Sequence, residues 1–271
     1  MILWFSGTGN SRFVAERLAA ELDRTPRELV PSVTSQSLRP LDGDNTIIWV
    51  CPVYSWGIPP YVRSIIASLD LCPTADGMQP VHHLVLTCGD DCGLASGMWR
   101  RDIRKRGWTD GNTYSVTMPN NYVCMKGFDV DPKELAAEKL AAAPERIKAI
   151  AADLRRHDSS AGEKRDDIVR GRFAWIKTKI IYPWFIRNAM SPKPFRYTAD
   201  CISCGKCAAA CPLGNISMLP AGEDRSGRVR KRPSWGGDCA GCLACYHVCP
   251  RHAVMYGKST VGKGQYMNPS V

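Results

Sequence analysis

Eight of the 13 cysteines in this chain lie in one short segment, between Cys201 and Cys249. They form two copies of the pattern C-x2-C-x2-C-x3-C-P, one starting at Cys201 and the other at Cys239. A disulfide scaffold spreads its cysteine pairs along a short secreted chain, whereas this clustering within 271 residues points to metal binding. Thiolates are soft ligands, and they suit iron–sulfur clusters and zinc.

The spacing of these cysteines favours iron–sulfur clusters over zinc. A cubane needs four thiolates that converge from different directions, and C-x2-C-x2-C wraps one tight loop around three of its corners. In two-cluster proteins the fourth cysteine of each copy binds the other cluster. Two zinc sites, the alternative, would need only paired C-x2-C units. We therefore predict two [4Fe-4S] clusters, one held by Cys201, Cys204, Cys207 and Cys249 and the other by Cys211, Cys239, Cys242 and Cys245.

A second motif, the hydroxyl-rich sequence SGTGNS, follows the apolar run Met1–Phe5 and precedes a helical pattern over Ser11–Leu22. Free backbone N–H groups and the dipole at a helix start favour an anion. A dinucleotide fingerprint would require glycine where Arg12 stands, and the Gly-Lys-Ser/Thr of a Walker loop is absent. The motif predicts an FMN phosphate site, with an ordinary capped turn as the alternative; its residues are Ser6, Gly7, Thr8, Gly9, Asn10 and Ser11.

The frame that positions this loop is an alternation of strands and helices in the first half of the chain. Predicted strands cover 1–5, 27–30, 46–51, 81–88 and 113–118, and predicted helices cover 11–22, 59–69, 96–106 and 132–156. Such alternation gives a parallel sheet with helices on both faces. We predict a flavodoxin-like, doubly wound, five-stranded sheet of order 2-1-3-4-5, followed by a small α+β two-cluster ferredoxin domain.

The third and fourth predicted strands end in PVYSWGIP and TCGDDCG, at the edge where such sheets bind ligands. These two loops and SGTGNS resemble the flavin loops of flavodoxins, and the cysteine repeat resembles bacterial two-cluster ferredoxins. Their combination is similar to bacterial flavodoxin–ferredoxin fusion proteins. The resemblance implies that the flavin ring is bound by Pro52, Val53, Tyr54, Ser55, Trp56 and Gly57 after strand three and by Thr87, Cys88, Gly89, Asp90 and Gly93 after strand four.

The resemblance also implies individual roles within these loops. Tyr54 and Trp56 are expected to stack on the ring, although Trp56 as a core tryptophan remains open. Gly57 is expected to allow a backbone flip that places a carbonyl beside flavin N5. Asp90 and Asp91 either lie near the ring or are solvated loop residues. The segment 118–122 is expected to contact the flavin edge or the ferredoxin half, and the thiols of Cys88, Cys92 and Cys124 are most simply unreactive.

The domain boundaries that we predict are 1–157 for the flavodoxin-like domain, 158–195 for a helical connector and 196–271 for the ferredoxin-like domain. An apolar stripe in the connector is expected to pack between the two domains, with membrane-surface association as the alternative; it consists of Trp175, Ile176, Ile180 and Trp184. No run of about 18 apolar residues that could span a bilayer is present, and no targeting peptide is recognised, so we expect a cytoplasmic protein.

Charge is distributed unevenly around the net value of +10. Residues 1–158 hold 18 Lys and Arg against 19 Asp and Glu, whereas residues 159–271 hold 18 against 7. The basic excess includes a cluster that is expected to steer an acidic, ferredoxin-type carrier, or else to be a solvated loop. It consists of Arg225, Arg228, Arg230, Lys231 and Arg232. Because the cluster lacks interleaved aromatic residues, nucleic-acid binding is not expected.

These features predict electron transfer between one-electron iron–sulfur carriers and a two-electron FMN centre, with low-potential electrons passed to a partner redox protein. The alternative is an FMN-dependent reductase of a small molecule that its own clusters supply with electrons. Tyr122 and Cys124 are possible proton donors for such a reductase, but no residue pair in the sequence identifies a catalytic site.

Overall fold

The computed structural model describes residues 1–32, 46–71, 79–157, 164–223, 226–227 and 229–271. In its first part, strands and helices alternate along the chain. The strands are β1 (Ile2–Trp4), β2 (Pro26–Glu28), β3 (Thr46–Pro52), β4 (Val81–Cys88), β5 (Thr109–Thr117) and β6 (Asp166–Asp167). The helices are α1 (Asn10–Leu22), α2 (Pro60–Ser68), α3 (Ala95–Lys105) and α4 (Lys133–His157).

These strands form one parallel sheet of order β2-β1-β3-β4-β5-β6. The predicted flavodoxin-like order of the first five strands is confirmed, but the predicted strand number is wrong, since the described part of the chain adds β6 at one edge. This two-residue strand is exposed and carries no apolar pattern. Arg100 holds it in place by donating from Nη2 to Asp166 Oδ1 at 2.8 Å and from Nη1 to Asp110 Oδ2 at 2.6 Å.

Both faces of the sheet are covered by helices, as the alternation predicts. Within β1, Leu3 packs on the side of α2 and α3, whereas Ile2 and Trp4 pack on the side of α1 and α4. The apolar run of β3 is buried almost throughout because both of its faces meet a helix layer. The loops at the carboxyl edge are thereby fixed on a rigid frame.

The connector is a continuous helical segment with an irregular centre. It consists of α5 (Ala174–Ile176), a π-helical turn (Lys177–Ile181) and α6 (Tyr182–Asn188). The prediction that its apolar stripe packs between the domains is wrong. The four side chains of that stripe remain 45–60% exposed, and they are Trp175, Ile176, Ile180 and Trp184. The buried positions are Thr178, Tyr182 and Phe185, because the wider π turn changes which face meets the protein.

The last part of the chain repeats a small unit around each cysteine motif. Its strands are β7 (Phe195–Tyr197), β8 (Ile216–Glu223), β9 (Val229–Trp235) and β10 (Val254–Tyr256), and its helices are α7 (Lys206–Ala209) and α8 (Ala244–His247). β7 pairs antiparallel with β10, and β8 with β9. Each short helix begins after the second cysteine of its motif. None of the helices in the described ranges is long and apolar enough to cross a bilayer.

Candidate functional site

A cavity of about 450 Å³ lies at the carboxyl edge of the sheet, where the loops after β1, β3 and β4 meet. Most of the residues predicted to bind flavin line it: Ser6, Gly7, Thr8, Asn10, Ser11, Pro52, Val53, Tyr54, Ser55, Trp56, Thr87, Cys88, Gly89 and Asp90. The remaining three, Gly9, Gly57 and Gly93, lie outside the lining. The volume is within the range of ordinary cofactor sites.

The loop between β1 and α1 is held in a cradle shape by its own polar groups. Gly9 N donates to Ser6 Oγ at 3.1 Å, and the hydroxyls of Ser11 and Thr87 are hydrogen-bonded at 2.7 Å. Gly9 has a φ of 94°, in the left-handed region that favours glycine. The first N–H groups of α1 precede any helical partner and carry the positive end of the helix dipole. This donor set fits a phosphate dianion.

The loop after β3 is a tight turn in which Tyr54 and Gly57 exchange backbone hydrogen bonds of 3.0 and 3.1 Å. The positive φ angles of this turn fall on Ser55 and Trp56. A Cβ at position 57 would lie 2.3 Å from the ring of Tyr182. The close approach of Tyr182 therefore explains the glycine. Both backbone polar groups of Gly57 are bonded to Tyr54 in this structure, and the expected flip of this backbone beside a flavin stays a prediction.

The connector holds the loops after β3 and β4 in place, a role that no sequence motif indicates. Lys177 Nζ lies 2.5 Å from Asp91 Oδ2 and 5.0 Å from the centre of the Trp56 ring. Thr178 Oγ1 donates to Trp56 O at 2.8 Å. Asp91 is therefore a half-buried ion-pair partner, whereas Asp90 is the solvated loop residue, with 83% of its side chain exposed. Trp56 is half-buried and lines the cavity.

The segment after β5 contacts both the cavity and the cysteine-rich half, so both expected contacts occur together. Met118 to Tyr122 line the cavity, and the Tyr122 hydroxyl is buried without a hydrogen-bond partner among the described residues. Burial raises the pKa of Tyr122, which keeps the hydroxyl protonated. Phe128 and Phe185 flank its ring at 5.7 and 5.4 Å between centroids. A buried hydroxyl without a partner is unusual, and this one belongs to a side chain that lines the cavity.

His247 of α8 joins this segment to the cysteine-rich half. Tyr266 N donates to His247 Nδ1 at 3.1 Å, so Nε2 carries the proton and donates to Asn121 O at 2.8 Å. Burial lowers the pKa of His247 to about 4, which keeps the ring neutral. Tyr266 OH donates in turn to Asn10 Oδ1 at 2.6 Å, and Asn268 N donates to Thr8 O at 2.8 Å. Residues 266–268 therefore support the loop of residues 6–11, which we call the cradle.

The eight cysteines of the repeat surround two small cavities of about 20 Å³ each. The first is lined by Cys201, Cys204, Cys207 and Cys249, and the second by Cys211, Cys239, Cys242 and Cys245. Each cavity therefore brings together one of the two predicted ligand sets, including the cysteine contributed by the other copy. Of the five cysteines outside the repeat, Cys88 lines the larger cavity, Cys51, Cys92 and Cys124 are buried elsewhere, and Cys72 lies outside the described residues.

Backbone groups point at several of these sulfur atoms. Asn215 N donates to Cys211 Sγ at 3.3 Å, Gly241 N to Cys239 Sγ at 3.4 Å and Ala253 N to Cys249 Sγ at 3.2 Å. Burial raises the pKa of the Cys242 thiol to about 12. A thiolate there needs a cation to compensate its charge, and cluster iron would supply that charge. The donor set fits an iron–sulfur cluster.

The second cysteine cavity and the larger cavity share a wall. Gly241, Cys242 and Leu243 line the larger cavity together with the cradle. A Cβ on Gly7 would lie 2.5 Å from the carbonyl oxygen of Cys242 and 2.7 Å from its Cβ. The backbone of the cradle is thus in direct contact with a predicted cluster ligand. No local sequence signal predicts this contact, because it joins positions more than two hundred residues apart.

Comparisons with known proteins give different matches for the two parts of the chain. Residues 200–253 match the family of the 4Fe-4S dicluster domain. Flavodoxin from Streptococcus pneumonia TIGR4 is 17% identical and covers 57% of this chain and 96% of its own, with a TM-score of 0.35. The two-electron reduced flavodoxin of Megasphaera elsdenii is 16% identical and covers 56% and 99%, with a TM-score of 0.36. No curated protein matches significantly.

The fold and the family match define an iron–sulfur redox protein built on a flavodoxin-like frame. The order of the parallel strands in this structure carries the fold assignment, and the family match carries the 4Fe-4S assignment. The chain joins a flavodoxin-like α/β unit to a segment that matches the 4Fe-4S dicluster domain, which is the arrangement that the predicted flavodoxin–ferredoxin fusion requires.

Proposed function

We propose that this protein transfers electrons between an FMN bound at the sheet edge and two [4Fe-4S] clusters, and that it passes low-potential electrons to a partner redox protein. The proposed units are residues 1–157 for the flavin, 158–195 for the connector and 196–271 for the clusters. When bound, FMN supplies chemistry that exchanges one or two electrons, whereas each cluster exchanges one. The contact between Gly7 and Cys242 is the observation that carries the proposal.

The residues of the large cavity would divide the work of binding the flavin. The cradle of Ser6 to Ser11 would hold the phosphate through hydroxyls and backbone N–H groups. Tyr54 and Trp56 would face the ring. Lys177 lies over the Trp56 ring, and Thr178 holds the Trp56 backbone through its carbonyl oxygen. The Tyr122 hydroxyl would donate a hydrogen bond into the cavity, because it has no other partner in the described structure.

The positions of the cysteine cavities support an order for the two proposed clusters. Cluster two, on Cys211, Cys239, Cys242 and Cys245, would lie beside the flavin because Cys242 lines both cavities. Cluster one, on the other four cysteines, would be the exchange point with solution. Its ligand Cys204 is exposed, and its neighbour Ile202 is 59% exposed. Electrons would therefore pass between the flavin, cluster two, cluster one and a partner.

Basic groups surround the exposed cluster and favour an acidic carrier. Arg232 Nη1 donates to Cys201 O at 2.7 Å and to Ser203 Oγ at 2.8 Å, which fixes a guanidinium beside cluster one. Arg230 and Lys231 are exposed next to it. Two further members of the predicted basic cluster, Arg225 and Arg228, lie outside the described residues. Positive charge around a donor site speeds the approach of an acidic partner.

Charge reversal tests this docking site. Lys231→Glu should slow electron exchange with an acidic ferredoxin by about tenfold at low ionic strength, and about 0.5 M salt should remove most of the difference by screening. Arg101→Glu reverses an exposed charge on α3 instead; it is the matched control and should change the rate little. Equal rates for Lys231→Glu and the unmodified protein at low salt would exclude docking at this surface.

A specific observation also supports the second function, reduction of a small molecule at the flavin. The large cavity extends past the cradle to an apolar wall that includes Phe128, Ile181, Trp184 and Phe185. Tyr122 would be the proton donor next to this wall, whereas Cys124 does not line the cavity. Burial raises the pKa of Cys124 to about 12, so its thiol stays protonated and buried.

A further inference from the structure

The connector exposes a row of large apolar side chains that nothing in the described structure covers. Phe173 is 68% exposed, Trp175 60%, Ile180 55% and Trp184 51%. Single exposed apolar residues are common on proteins, but a contiguous group of this size marks an interaction surface. We call these four residues, together with Ile176, the connector face.

The opposite side of the same segment is fixed to the sheet half. Thr178 and Tyr182 are buried, and Tyr182 OH donates to Ile58 O at 2.6 Å. Leu94 N donates to Thr178 Oγ1 at 2.8 Å, and the Lys177–Asp91 ion pair adds a third attachment. The connector face is therefore presented on an ordered helical support, and its exposure does not come from a detached segment.

The charges within the connector segment itself have one sign. Residues 168–193 contain Arg170, Arg172, Lys177, Lys179, Arg187 and Lys193, and they contain no Asp or Glu. Arg170 is paired with Asp166 and Lys177 with Asp91, and these acids lie outside the segment. Arg172 lies 5.5 Å from the centre of the Phe173 ring. The segment thus combines protruding aromatic rings with flanking cations.

We propose that the connector face docks on the surface of an anionic phospholipid bilayer. Tryptophan and phenylalanine side chains seat at the boundary between headgroups and acyl chains, and flanking Lys and Arg pair with anionic headgroups. An acidic protein would also satisfy the cations, but here the exposed rings of Phe173, Trp175 and Trp184 protrude among exposed cations such as Lys179, and that combination is typical of a helix face that inserts at the headgroup boundary. Partial insertion of a helix face needs no spanning helix.

Docking of this kind would bring the large cavity close to the bilayer. Lys177, Ile181, Trp184 and Phe185 belong to the connector and also line that cavity. A molecule that partitions into the headgroup region would then reach the cavity from the lipid side. The docking proposal itself depends only on the connector, so it holds or fails independently of flavin binding.

Vesicle flotation of the full chain, purified without oxygen, tests the proposal. Vesicles of phosphatidylcholine with about 30% phosphatidylserine should bind the protein at least tenfold more strongly than vesicles of phosphatidylcholine alone. The variant Trp175→Gln/Ile180→Gln should lose most of this binding. Leu219→Gln/Val261→Gln, which replaces two other exposed apolar residues, is the matched control and should bind like the unmodified protein.

A second readout reports insertion directly. Lipids brominated on the acyl chains should quench tryptophan emission of the unmodified protein, and Trp175→Phe/Trp184→Phe should remove most of that quenching. Equal binding to neutral and anionic vesicles, or unchanged binding of Trp175→Gln/Ile180→Gln, would overturn the proposal. Loss of reaction with an acidic redox protein in that variant, with no vesicle binding by the unmodified protein, would assign the face to a protein partner instead.

Discussion

Substitution of Gly7 by alanine tests the contact between the phosphate cradle and the cysteine-rich half. The new Cβ would lie 2.5 Å from the carbonyl oxygen of Cys242, whereas real Cβ contacts essentially never fall below 3.0 Å. The two backbones must therefore separate by at least about 0.5 Å, because neither partner is a side-chain end that could rotate away. Overpacking of this kind costs about 1–3 kcal/mol.

That cost should appear in flavin binding, because the cavity is complete only when the cradle and residues 241–243 meet. We expect the Kd for FMN to rise by about ten- to a hundredfold. Titration of the iron–sulfur-loaded protein with FMN, followed by quenching of flavin fluorescence, measures this change. The rate at which electrons move from the clusters to the flavin should fall in the same variant.

Gly97→Ala is the matched control for Gly7→Ala. Gly97 lies in α3, and a Cβ there would meet no atom within 4 Å. This variant should bind FMN normally and gain up to about 1 kcal/mol of stability from helix propensity. If Gly7→Ala bound FMN as tightly as Gly97→Ala and kept the same transfer rate, the assigned contact between cradle and cluster loop would be refuted.

Three further perturbations probe other parts of the molecule. Tyr122→Phe should weaken FMN binding by about three- to tenfold through loss of one hydrogen bond. The flavin-free protein should keep its stability, because the hydroxyl has no hydrogen-bond partner among the described residues. Unchanged FMN affinity would contradict this prediction. Cys211→Ser should abolish rapid reduction of the flavin by the clusters, whereas Cys249→Ser should leave electron exchange between cluster two and the flavin intact. Stopped-flow absorbance measures both rates. Equal effects of the two substitutions would argue against ligand sets in which each copy of the motif gives its fourth cysteine to the other cluster. Burial, with a smaller contribution from His83, lowers the pKa of His82 to about 3, whereas the pKa in the unfolded chain is about 6.5. The unfolded chain therefore takes up the proton first as the pH falls. The free energy of unfolding should decrease by about 2 kcal/mol between pH 7 and pH 5. His82→Gln should remove that loss in urea unfolding, and an identical pH dependence in both proteins would be inconsistent with a buried neutral His82.

The sheet order and the two groups of four cysteines that the structure brings together can be predicted from sequence, because both depend on local patterns. The run Val81–Cys88 was predicted with the bounds that the structure shows, since a buried parallel strand needs a continuous apolar stretch. The cysteine spacing specifies loop geometry directly. By contrast, β6 consists of two exposed aspartates, and its place depends on the distant Arg100.

The connector and the shared wall of the cavities required the three-dimensional structure. Two faces of the connector are apolar, and sequence periodicity cannot tell which face is buried once the π turn interrupts the α-helical repeat. The sequence likewise gave no indication that Lys177 and Tyr182 support the ring loops. The contact between Gly7 and Cys242 depends on how the sheet half packs against the cysteine-rich half. Neither sequence motif alone specifies that packing.

The most direct test of the account is the concentration dependence of electron transfer from the clusters to the flavin. Anaerobic protein carrying iron, sulfide and FMN would be given one electron by a light pulse, and flavin and cluster absorbance would be followed in time. We predict that the electron reaches the flavin at a rate independent of protein concentration, since the proposed sites of cluster two and the flavin lie in one chain and share a wall. A rate proportional to protein concentration, or protein that holds iron but never takes up FMN, would contradict it.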